Sequence, residues 1–119
     1  MGAKDELGRW GEDLAARHLQ AAGLEVLARN WRCREGELDV VARAADGTLV
    51  FVEVKTRSTA AFGQPSEAVS RRKADRVRAL ACRWLAEHPG GGAPLRFDVV
   101  SVVRERGHAP VVEHLVGAF

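Results

Sequence analysis

"LVFVEVKTR", Leu49–Arg57, decides how this 119-residue sequence is read. Five of its first six residues are apolar, three of them valines, as expected of a strand covered on both faces. Alternation then sorts its side chains: Val50, Val52 and Val54 point one way, Phe51, Glu53 and Lys55 the other. A carboxylate and an amine therefore share one face at the end of what reads as the central strand.

The segment before it, "ELDVVAR" (residues 37–43), reads as a second strand, joined to the first through "AADG". Gly47 suits the left-handed position that closes a three-residue loop, Ala45-Asp46-Gly47. That loop pairs Ala44 with Thr48, Ala42 with Val50 and Val40 with Val52, and so sets Asp39 opposite Glu53. Directly opposed side chains share a face, with Cβ atoms roughly 5 Å apart. A two-residue loop would move the register by one and break the convergence, so the turn carries the inference. On the three-residue reading, Asp39, Glu53 and Lys55 meet at the open end of the hairpin.

Two carboxylates so placed repel, and one of them should hold its proton more tightly. A hard divalent cation relieves the repulsion, because Mg²⁺ binds one or two carboxylates and keeps several waters. Such an ion lowers the pKa of a bound water and stabilises a leaving oxygen. Lys55 beside it can orient the attacking water or offset charge building on a phosphoryl group. The pattern points to phosphodiester hydrolysis with Asp39, Glu53 and Lys55 as catalytic residues. The plain alternative is a salt-bridged cluster at the sheet rim.

The rest of the chain supplies a frame. Residues 4–22 have a helical stripe of Leu7, Gly11, Leu14, Ala15, His18 and Ala22, stopped by Gly23. Glu12 flanks that stripe, in line with Ala15, Ala16 and Leu19. "LEVLARNWR" reads as a strand with Leu24, Val26 and Ala28 on one face, and "CREGE" as a polar break. A second helix spans residues 70–88, with Val77, Leu80, Ala81, Trp84 and Leu85 inward. "LRFDVVSVV" is a further strand, in which Asp98 should pair with Arg96 or a helix end. "PVVEHLVGAF" forms a last strand at the sheet edge. The expectation is one α/β domain, a mixed sheet of about five strands flanked by helices.

Hydrophobic residues make up 46% and charged residues 29%, as in soluble globular proteins. A net charge of +2 and a pI near 8.8 permit nucleic-acid binding without requiring it. Cys33 and Cys82 form no CxxC pair, no apolar run reaches membrane-spanning length, and "MGAKDEL" lacks a signal-peptide core. A reduced, cytoplasmic setting with no membrane partner is expected. Arg57, Arg71, Arg72 and Lys73 follow the site and are candidates to bind a phosphate backbone. Glu37, two before Asp39, is a candidate support that could add a ligand or hold Arg34.

"GELDVVAR" and "LVFVEVKTR" together resemble the PD-(D/E)xK nuclease motif, with Asp39 as the first acid and Glu53-Val54-Lys55 as the ExK; Leu38 stands where that motif has proline. Over nearly its whole length the chain resembles the YraN family of small uncharacterised bacterial proteins, through "GRWGEDLAARHL", "LARNWRCREGELDVV", "FVEVKTR", "FGQPSEAV", "RRK" and "RFDVVSV". That family is similar to archaeal-type Holliday junction resolvases. The resemblance implies a restriction-endonuclease-like fold, a homodimer, Mg²⁺ or Mn²⁺ as cofactor, and DNA, branched or otherwise structured, as substrate. It also implies a metal site of Glu12, Asp39 and Glu53, with Gln64 in a supporting position. The competing readings are a non-catalytic nucleic-acid-binding accessory module on the same fold, and a scaffold binding another protein through the edge near Val111 and Val112.

Overall fold

A strand of continuous apolar residues needs cover on both faces, and Leu49–Arg57 has it. The computed structural model describes residues 6–58, 69–89 and 92–119. Its elements are α1 (Glu6–Ala21), β1 (Glu25–Cys33), β2 (Gly36–Arg43), β3 (Leu49–Arg57), α2 (Arg71–Glu87), β4 (Leu95–Val103) and β5 (Val111–Leu115). The five strands lie in chain order, with β3 central and β5 at the edge. All neighbours are antiparallel except β3 and β4, whose parallel pairing needs the long crossover that α2 provides. The mixed α/β sheet flanked by helices is the architecture expected from the sequence.

The core has two layers, and β2 changes phase between them: Leu38 packs with Val41 rather than with Val40, so strict alternation does not hold through Asp39. Val40, Ala42, Val50, Val52, Val100 and Val102 pack against Ala15 and Leu19 of α1. Leu38, Val41, Leu49 and Phe51 pack against Val77, Leu80, Ala81 and Trp84 of α2. The β2–β3 hairpin closes as its residues dictate: Ala44 N–H donates to Thr48 O and Gly47 N–H to Ala44 O, both at 2.9 Å. Gly47 takes a φ of 92°, and the Thr48 amide donates to Asp46 Oδ1 at 2.9 Å. The register that follows pairs Ala42 with Val50 and Val40 with Val52, as the three-residue loop requires.

Three local expectations are corrected. The buried stripe of α1 is Gly11, Glu12, Ala15, Ala16 and Leu19, whereas His18 and Ala22 are exposed. Small residues allow the helix to approach the sheet closely, and that approach selects the stripe. In β1 the pairing shifts between Val26 and Ala28, so Val26 packs on the α1 side and Ala28 on the α2 side. The polar break before β2 shrinks to Arg34 and Glu35, because Cys33 already pairs with Gly36.

Asp98 is fully buried on β4. It accepts from Arg96 Nε at 3.0 Å and from the Gly117 amide at 2.9 Å, and lies 2.7 Å from His114 Nε2. The pairing with Arg96 is the expected one, and the network also fastens β5 and the turn after it. Cys33 and Cys82 are free thiols. No helix among the described residues is long and apolar enough to cross a membrane.

Candidate metal centre

The sheet forks beside its centre. Pairing of β2 with β3 ends at Val40 and Val52. Beyond that point β3 stays with β4 as far as Arg57 and Val103, while β2 stays with β1 back to Gly36 and Cys33. At the fork a side chain replaces the backbone ladder: Asp39 Oδ2 accepts the Val54 amide at 2.9 Å.

Helix α1 closes the fork from the opposite face to α2. A Cβ built on Gly11 would lie 2.0 Å from Thr56 Oγ1 and 2.7 Å from its Cγ2, so only glycine lets the helix sit there. That approach carries Glu12, which is 4% exposed, to the acids of β2. Glu12, Glu37 and Asp39 each offer an oxygen, and the three atoms lie within 4.8 Å of one another. Glu12, Glu37 and Asp39 would together hold one hard cation, which would keep several waters besides. An all-carboxylate donor set suits a hard cation such as Mg²⁺ or Mn²⁺. Glu37 also accepts from Arg32 Nε at 2.6 Å; the expected partner was Arg34.

Glu53 is 8% exposed, and its Oε2 lies 2.6 Å from Lys73 Nζ of α2. Burial pushes its carboxyl above the usual range, and the charge of Asp39 adds to this; Lys73 and Lys55 work against both. Lys55 is pushed down, first by burial and then by Lys73, while Glu53 and Asp39 oppose the change. Burial would lower Lys73 too, but hydrogen bonds with Glu53 and Lys55 and the charges of Glu53 and Asp39 raise it. Glu53, Lys55 and Lys73 thus form a charged cluster that feels the charge of Asp39, while Glu53 itself is not one of the three carboxylates gathered with Glu12.

Among the expected phosphate-binding residues, Arg71 and Arg72 are exposed in the first turn of α2, and Arg57 is half-buried at the end of β3. Lys73 does not stand with Arg71 and Arg72, because it is turned onto Glu53. The signal for that was present in the helix: Lys73 lies four residues before Val77 and seven before Leu80, on the buried face. Gln64 lies outside the described residues.

Comparison with known proteins places these residues in a family. The model of "Uncharacterised protein family UPF0102" matches residues 11–102. A UPF0102 protein of Parafrankia sp. (strain EAN1pec) is 62% identical over 100% of both chains. Another, from Beutenbergia cavernae, is 60% identical over 98% of both chains. Among solved structures, an EndoMS–dsDNA complex aligns with a TM-score of 0.43 and 15% identity, covering 87% of this chain and 38% of that one.

Proposed function

The chain belongs to the uncharacterised protein family UPF0102, and we propose that it is a metal-dependent endonuclease hydrolysing phosphodiester bonds in DNA, branched or otherwise structured DNA included. The observation that carries this reading is the fork between Asp39 and Glu53, into which α1 brings Glu12. The carboxylates of Glu12, Glu37 and Asp39, with one oxygen of each within 4.8 Å of the others, are costly to hold together, and a divalent cation offsets that cost. Beside them stand two lysines, as chemistry on a phosphate requires.

The residues divide the work. Glu12, Asp39 and Glu53 would hold Mg²⁺ or Mn²⁺, with Glu37 as a further oxygen on the same side. Such an ion supplies a water of lowered pKa and offsets charge on the leaving oxygen. Lys55 orients the attacking water and neutralises charge building on the phosphoryl oxygens. Arg57, Arg71 and Arg72 hold flanking phosphates, which sets the register of the strand without reading its sequence. A homodimer acting in the cytoplasm completes the proposal, and sedimentation of the purified chain tests its assembly.

The deciding experiment incubates purified protein with Mg²⁺ or Mn²⁺ and duplex, single-stranded or junction DNA. The proposal expects cleavage of at least one substrate by the wild type and none by Asp39→Ala. No cleavage of any substrate, or equal trace cleavage by Asp39→Ala, overturns it. One observation favours a second reading, a non-catalytic DNA-binding module: Glu53 already has a counter-ion in Lys73. That reading expects DNA binding that is indifferent to Asp39 and to metal.

A further inference from the structure

The first turn of α2 runs against helix electrostatics. It reads Arg71-Arg72-Lys73 and contains no acidic residue. Helix N-termini carry partial positive charge and favour acids there. The helix is held instead by its cap, Ser70 Oγ accepting the Lys73 amide at 3.2 Å. The same cap fixes where the Lys73 side chain leaves the helix, on the face of Val77 and Leu80, toward the sheet.

Its ammonium meets Glu53 at 2.6 Å. A buried carboxylate beside a second carboxylate needs a counter-cation, because an uncompensated buried charge is strongly destabilising. Lys73 fills that need with a single charge, against the two negative charges of Glu53 and Asp39. A divalent cation would serve Asp39 and Glu53 together. Lys73 keeps a way out, since a third of its side chain is exposed.

We propose that Lys73 competes with the metal for Glu53: it is the counter-ion of Glu53 in the metal-free protein, and it yields that carboxylate when a divalent cation binds. This rests on the reading of the fork as a metal centre. Lys73 is then a positioning residue, which keeps the fork folded before metal arrives and is released beside Lys55 afterwards.

Calorimetric titration of Mn²⁺ into wild type, Lys73→Met, Lys73→Arg and Asp39→Asn tests this, with thermal melts of each. The expected result is about tenfold tighter Mn²⁺ binding by Lys73→Met, with Lys73→Arg near wild type. Unchanged or weaker binding by a folded Lys73→Met overturns the inference, since a purely structural pair gives no gain. Should Lys73→Met fail to fold, Lys73→Gln must show the gain instead, and its failure to do so is equally decisive. If wild type binds Mn²⁺ and Asp39→Asn does not, but the Lys73 variants gain nothing, only this inference falls. If neither wild type nor the Lys73 variants bind Mn²⁺, the metal centre itself falls, and the inference with it.

Discussion

The Asp39 carboxylate accepts the Val54 amide at 2.9 Å, one residue beyond the last backbone pair of β2 and β3. One group therefore ends a ladder and lines the candidate metal centre. Asn and Ala at this position separate the two roles. Asp39→Asn keeps an oxygen for the Val54 amide and removes the charge that repels Glu53. Its melting temperature should stay at or above that of the wild type, while cleavage falls by roughly a hundredfold or more, as removal of a charge-stabilising group usually costs. Asp39→Ala also strands a part-buried N–H, and should destabilise the fold by about 1 kcal/mol besides. Melts and cleavage rates of the two variants check this. An equal drop in stability in both would show that the charge, not the amide hydrogen bond, holds the fork.

Gly11 and Thr56 make a second separable pair. A methyl group on Gly11 would lie 2.0 Å from Thr56 Oγ1, so Gly11→Ala must push α1 away from β3. Overpacking of this kind costs roughly 1–3 kcal/mol. Because Glu12 is the next residue, the same shift should weaken Mn²⁺ binding without touching a ligand. Thr56→Ala removes the two nearest atoms, so the double variant should recover part of both effects. A double-mutant cycle measures the coupling, and strict additivity would show that the helix does not sit on Thr56.

How the fold could be read from residues, and where that reading stopped, has a physical basis. Gly47 fixed the loop length and the loop fixed the register as far as Val40 and Val52, by backbone geometry alone; the expected pairing of Asp39 with Glu53 does not form, because the strands part there and the Asp39 side chain takes the Val54 amide instead. The central place of β3 follows from its valines. The stripe of α1 did not follow from counting large apolar residues, because closest approach is made by Gly11, Ala15 and Ala16, and the same face buries Glu12. The face of Ala28 is set by a local pairing shift in β1 that no side-chain pattern records. Charge alone groups Lys73 with Arg71 and Arg72, although its helical phase points it inward.

Asp98 gives a prediction about pH that is independent of the metal centre. Burial works against its ionisation, but hydrogen bonds from Arg96, Gly117 and His114, with the Arg96 charge, outweigh it and hold its carboxyl below the usual range. A carboxyl lowered on folding stabilises the native state above its unfolded pKa of about 3.9, and the contribution fades as pH falls toward the folded value. Asp98→Ala should therefore cost the most at neutral pH. The cost should be roughly 3 kcal/mol, at the low end for a broken buried pair because Arg96 keeps 28% of its side chain in water. The gap between variant and wild type should narrow below about pH 4. Urea melts at pH 7 and pH 3 test this, and a gap that widens at pH 3 would contradict it.

Arg71 and Arg72 provide a test in which stability and binding move in opposite directions. Both are exposed in the first turn of α2, beside a helix end that disfavours positive charge. Replacing either with Gln should leave the fold unchanged or stabilise it by a few tenths of a kcal/mol. If each meets a phosphate, each replacement should also weaken DNA binding about equally across sequences. On duplex DNA, the slope of log affinity against log salt concentration should fall by about 0.9 for each phosphate that is no longer neutralised. Fluorescence anisotropy across a salt series, measured in Ca²⁺ to hold cleavage back, reads both the affinity and the slope. A variant that melts higher yet binds more weakly with a shallower slope has given up its hold on one phosphate and nothing else. An unchanged slope would remove both arginines from the interface and shift the search for phosphate-binding groups to Arg57 and the lysines at the fork.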